Sequence, residues 1–213
     1  MYKITTASLS WEEVLTILFV VFSPLKVVGP FAAITRDMEP TFCRRLAWRT
    51  TLFAAVEVVV ATVLGQRILL SWGIRYAVLL LAGGIVWFLI ALMMVLQPYL
   101  PMLRSQPTFE RPSLALAFRP LSFPTIVTPY GVATLIIMVA TMPTLGLQIL
   151  VLALTGVMLL LNWVAMIFAR PILHLLALPL ELVGWVLGVL QVALALNLIY
   201  IAILSLSATA ARR

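Results

Sequence analysis

Glu57 stands in LFAAVEVVVATVL, with apolar neighbours for several residues on either side. A charged side chain at the centre of a membrane helix costs about 2.5–3.5 kcal/mol on insertion scales. It is tolerated when it is paired, neutralised by a proton, or turned into a wet cavity, so Glu57 is a candidate titrating or cation-binding group. Lys26 is its candidate partner, in FSPLKVVGPF at 22–31 on the preceding apolar segment. As an ammonium it is either the counter-charge of Glu57 or a ligand for a substrate carboxylate. The plainer readings are a buried ion pair with no traffic past it, and a lysine that snorkels to an interface.

Around these charges the chain is broken by proline and glycine: Pro24, Gly29 and Pro30 in one segment, Pro124, Pro129 and Gly131 in another. A proline in a membrane helix removes an N–H donor and frees a carbonyl, and the freed groups must find protein or cavity water. Half-helix ends at such breaks suit a carboxylate or a cation. Ser23, Thr125 and Thr128 add hydroxyls at the same places. The structural alternative is simple kinking.

The two breaks recur at a fixed interval. SPLKVVGPF from Ser23 aligns with TPYGVATLI from Thr128 at an offset of 105, and Gly84 aligns with Gly188 at 104. Three spans per half would insert the halves in opposite senses, the inverted-repeat plan of many secondary transporters, whose paired broken helices form a site near the midplane. Adding 105 to Glu57 gives Asn162, the polar residue in LLLNWVAM. Asn162 is a candidate site residue on this ground, and a helix–helix hydrogen-bonding residue on its own. Gln191 and Asn197 lie on different faces of one segment, Gly83-Gly84 favour close helix packing, and His174 is expected in a loop beside Pro171.

The elements that must position these groups are membrane helices. Of 213 residues 64% are hydrophobic and 10% charged, with mean hydropathy +1.17. Soluble domains carry about 25% charged residues. Spanning segments are expected at about 11–34, 46–70, 76–96, 114–142, 145–168 and 180–204, the first and fourth interrupted. This is an all-α integral membrane fold of six helices in a single membrane domain. Repeat 1 covers about 9–97, a Pro-rich cytoplasmic connection about 98–113, and repeat 2 about 114–205. Trp11 and Trp72 fall at segment ends, as interfacial aromatics do. The N-terminal segment has no signal-peptide exit and is expected to stay as a helix.

The net charge of +7 sits in short loops, which report orientation and contact with anionic lipid. Lys3, Arg67, Arg75, Arg212 and Arg213 share one side; Arg36, Arg44, Arg45, Arg49, Arg104, Arg111, Arg119 and Arg170 share the other. The richer side is cytoplasmic by the positive-inside rule, which puts both termini in the periplasm. No basic domain with a nucleic-acid motif is present. With one histidine, one cysteine and none of the common catalytic or nucleotide-binding motifs, no enzyme activity, metal or cofactor is expected. A Ser23/Lys26 dyad is too ordinary a spacing to argue otherwise.

Three ordered stretches carry a family resemblance over nearly the whole length. They are SPLKVVGPFAAITRDM, GQRILLSWGIRYAVLLLAGGIVWFLIALMMV and FRPLSFPTIVTPYGVATLIIMVA. The chain resembles the MarC family of integral membrane proteins, also called the neutral amino acid transporter family. Ser23 stands where the family pattern has Asp or Asn, Lys26 where it has glycine, and Thr128-Pro129-Tyr130-Gly131 in place of Gly-Pro-Gly. Glu57 falls at an apolar position of the pattern. The resemblance implies a bacterial inner-membrane secondary transporter or exporter of small solutes, neutral amino acids for some members. Ser23, Pro24, Lys26, Glu57, Thr125, Thr128, Pro129 and Asn162 are expected to line its central site. The alternative expectation is a non-transporting subunit within a larger membrane complex. Expected partners are membrane lipids, a small solute, and either further copies of the chain or that larger complex.

Overall fold

The computed structural model describes residues 11–96, 99, 113–142 and 144–210, with 13, 141, 176–183, 209 and 210 by backbone alone. The expected Pro-rich connection, 98–113, lies almost wholly outside them. The described residues form helices and no strand. The helices are α1 (Trp11–Val21), α2 (Leu25–Ile34), α3 (Pro40–Ser71), α4 (Tyr76–Leu96), α5 (Pro129–Thr141), α6 (Leu145–Ile167) and α7 (Ala169–Ala210), with an irregular helical segment Leu114–Ile126 before α5. Five stretches are long and apolar enough to cross a membrane, α1 and α2 together counting as one. The segment Leu114–Ile126 and α5, bent by 63° at their junction, make a sixth if counted together.

Both breaks follow from local chemistry. Arg119 and Phe123 each precede a proline and take extended backbone (φ −131°, ψ 124° and φ −116°, ψ 129°). The ring of a following proline disfavours helical angles at the residue before it. The turn is then widened, Val127 N–H bonding Ser122 O at 2.8 Å. Thr128 restarts the helix by accepting Gly131 N–H at 3.1 Å, and Pro129 holds a first-turn position that needs no N–H. In the first segment α1 ends at Val21 and α2 begins at Leu25, after Phe22-Ser23-Pro24.

Two expected boundaries move. α7 begins at Ala169, so Pro171 and His174 are helical and not in a loop. Pro171 sits in the first turn, where a missing donor costs nothing. α3 likewise begins at Pro40, taking Arg44, Arg45 and Arg49 onto a helix, all exposed.

The packing exchanges between halves. α3 packs on α5 and on 118–126 of the second half; α6 packs on α1 and α2 of the first. α4 packs on α5 and α7 on α2, while α4 and α7 lie along one another. Gly84 and Gly188, the aligned glycines, serve that last contact. A Cβ on Gly84 would lie 2.9 Å from Ile199 of α7, and one on Gly188 3.1 Å from Val95 of α4. Close approach of membrane helices requires small residues at the crossing.

Arg170 decides how often the bent segment crosses. Its guanidinium donates to Thr35 O, and to Met38 O at 2.7 Å, tying the start of α7 to the end of α2. These ends therefore share one side of the membrane. Between them lie α3, α4, the bent segment and α6, so an even number of crossings requires the bent segment to cross once. Among the described residues this contact favours counting the bent pair as one span, six in all.

Candidate functional site

Polar groups that a hydrocarbon setting would isolate are instead gathered at the two breaks. At the first, the carbonyls of Val20, Val21 and Phe22 lack continuing helix N–H donors, because Pro24 cannot donate and the chain turns at Ser23. Lys26 supplies one cation to this end, its Nζ donating to Val20 O at 3.0 Å and Val21 O at 3.4 Å. An ammonium at the negative pole of a helix is favourable there. Asn162 supplies the next donor, Nδ2 to Phe22 O at 2.8 Å, while also bonding Met158 O of its own helix at 2.8 Å. Ser23 is buried beside them, and its hydroxyl has no partner among the described residues.

Lys26 has one further partner, Tyr130 Oη at 2.8 Å, with the ammonium 5.4 Å from that ring's centre. Tyr130 lies just past the second break, 104 residues on, close to the interval expected for a repeat. Its ring stacks on Trp87, centroids 4.9 Å apart and planes 1° from parallel. Lys26, Tyr130 and Trp87 thus form a continuous line of contacts from the first break to α4, the ammonium end-on at the phenol and the two rings stacked.

At the second break stands Glu57. Its Oε2 accepts from Ser122 Oγ at 2.7 Å, and its buried Oε1 has no partner among the described residues. Thr125 Oγ1 donates to Pro120 O at 2.9 Å within the same turn, and Thr128 is spent on capping α5.

The expected pairing of Lys26 with Glu57 is therefore corrected: no ion pair joins them among the described residues. The segments carrying them are consecutive, but α2 packs chiefly against α6, α7 and 118–126, and α3 against α6, α5 and 118–126, so that the two scarcely pack on one another. Packing between the halves carries Glu57 to the second break and brings Tyr130, just past that break, onto Lys26 at the first. Lys26, Ser23, Pro24 and Asn162 gather at the first break, and Glu57, Thr125, Thr128 and Pro129 lie along the second broken segment. Ser122, Tyr130 and Trp87 were missed. Tyr130 had a signal, being one repeat interval from Lys26; Ser122 had only its place between two prolines. Gln191 is buried in α7 and Asn197 exposed, on different faces as expected.

Comparison with known proteins follows the same outline. A family model described as "MarC family integral membrane protein" matches residues 10–206. The chain is 26% identical over 126 residues to a UPF0056 membrane protein of Buchnera aphidicola, covering 59% of this chain and 62% of that one. It is 27% identical over 122 residues to UPF0056 inner membrane protein YhgN of Escherichia coli K12, covering 57% and 60%. The matched stretch spans about three-fifths of the length of these curated relatives. No solved structure is significantly similar to the chain.

Proposed function

The chain belongs to the MarC family of integral membrane proteins, and from that premise we propose that it is a secondary transporter or exporter of small solutes, with neutral amino acids as the first class to test. The observation that carries this reading is Glu57: a carboxyl group in mid-helix, held on one oxygen by Ser122, with the other oxygen buried and unpartnered. A buried polar atom without a partner calls for an ion, a proton or a water to explain it. Ionisable groups inside membrane segments mark ion and substrate paths more often than they serve structure.

In this reading Glu57 takes up and releases the coupling proton or cation. A ligand moves a conformational equilibrium only by its difference in affinity between the states. Glu57 supplies such a difference, because the Ser122 that holds its Oε2 belongs to the 118–126 turn, and motion of that turn would make or break the bond. The two breaks act as hinges, and Lys26 holds the first against Tyr130 of the second. The protein resides in the bacterial inner membrane, as the name of the relative YhgN suggests, with both termini periplasmic by the placement of its arginines.

One observation favours a second reading, a non-transporting membrane subunit. Lys26 already has three acceptors, which suits a locked scaffold. Counterflow in proteoliposomes preloaded with a panel of amino acids separates the two. A transporter exchanges at least one of them, and Glu57→Gln abolishes that exchange while keeping an acceptor for Ser122. Folded protein with no flux across the panel, and a stably copurifying membrane partner, would instead establish the scaffold.

A further inference from the structure

Three exposed arginines ride the first turns of α3: Arg44, Arg45 and Arg49. Arg170 gives its guanidinium to Thr35 O and Met38 O, but these three have no acceptor among the described residues. The nearby carboxylates, Asp37 and Glu39, pair with none of them. Their places on the helix differ. At 3.6 residues per turn Arg45 and Arg49 fall within about 40° of one another, while Arg44 lies about 100° from Arg45. The stripe they share continues through Trp48, Leu52 and Val56, all exposed. Two like charges one turn apart on a helix repel. An anion shared between them turns that repulsion into attraction.

The depth of the stripe follows from the length of α3. Its 32 residues span about 48 Å and overrun a hydrocarbon core of about 30 Å. Arg49 and Arg67, the cations that bracket its apolar run, stand about 27 Å apart along the axis. Arg49 therefore falls at the edge of the core, and Arg45 one turn further out in the headgroup layer. Trp48 beside them is seated edge-on against Trp163 of α6, centroids 6.3 Å apart and planes at 78°. An indole at this depth suits the interface.

We propose that Arg45 and Arg49 clamp the phosphate of one anionic phospholipid, with Trp48 beside its glycerol and an acyl chain along Leu52 and Val56. The guanidinium fork matches phosphate oxygens two at a time. A phospholipid carries its charge at the head of an apolar tail, which is the order of the stripe. An acidic protein surface would meet the charges but not the apolar run beneath them. Net charge selects phosphatidylglycerol over phosphatidylethanolamine, whose own ammonium would add a third cation. The site is narrower than the general pull of basic loops on an anionic bilayer, because it leaves Arg44 out. It is independent of whether the protein transports anything.

The test is native mass spectrometry of the full chain released from detergent, titrated with phosphatidylglycerol and with phosphatidylethanolamine of the same acyl chains. The glycerol lipid should be retained at least about fivefold better, the effect of one unit charge at a lipid surface. Arg45→Gln and Arg49→Gln should each remove about that factor, and Arg44→Gln less than about twofold. Circular dichroism checks that all three variants fold. Equal losses from the three would overturn the clamp and leave an unlocalised attraction. Equal retention of both lipids would overturn the choice of an anionic headgroup. Displacement by millimolar inorganic phosphate would make the ligand a soluble anion and overturn the lipid.

Discussion

An ammonium that meets two carbonyls at a helix end and a phenol across the repeat is worth more than a surface charge. Hydrogen bonds to charged groups contribute about 1.5–3 kcal/mol, so Lys26→Met should lose that much stability in detergent unfolding. A double-mutant cycle decides its true partner. Lys26→Met with Tyr130→Phe should show a coupling of at least about 0.5 kcal/mol, whereas Lys26→Met with Glu57→Gln should add within that margin. The reverse pattern would restore the ion pair that the chain order first suggests. Asn162→Ala is the milder change, about 0.6 kcal/mol by the average for polar contacts in membrane bundles. Glu57 and Asn162 were legible in the sequence because each is a polar residue alone in an apolar run. Their partners were not, because a backbone carbonyl and a serine in a proline-rich turn carry no such contrast.

Helix breaks and helix crossings differ in how openly they are written. The first break could be read at Pro24 but not beyond it: Gly29 and Pro30, expected to belong to it, lie inside α2, where Val28 and Gly29 stay helical ahead of the proline. The long start of α7 could not, because Pro171 reads as a loop signal unless a helix is already known to begin two residues before it. Glycine has a similar ambiguity, and two substitutions separate its roles. Gly84 faces Ile199 with no room for a methyl group, so Gly84→Ala should lower the unfolding temperature by pushing α4 from α7. Gly29 has nothing within 4 Å, and Gly29→Ala should hold or raise stability by up to about 1 kcal/mol, the helix preference of alanine over glycine. Destabilisation by both would mean that α2 is packed more tightly than its open face indicates.

At the scale of the whole molecule, the offset of about 105 residues suggests a repeat, but not which helices touch. Consecutive segments are neighbours more often than not, and exchange between the halves defeats that expectation here. The six-span count rests on Arg170, and labelling from one side of the membrane tests it. In a Cys43→Ser background, Ser71→Cys and Thr144→Cys should react alike with an impermeant thiol reagent, and Arg36→Cys only after the membrane is opened. Thr144→Cys reacting like Arg36→Cys, only after the membrane is opened, would make the bent segment a re-entrant loop. Four of the tethers that cross between the halves among the described residues also set an order of birth. Phe22 waits 140 residues for Asn162, Thr35 waits 135 for Arg170, Lys26 waits 104 for Tyr130 and Glu57 waits 65 for Ser122. While the ribosome is still making the second half, the first half must lodge in the bilayer with its ammonium and carboxyl unanswered by the partners they will finally hold. Biogenesis, more than the finished fold, is where these two charges are hardest to bear.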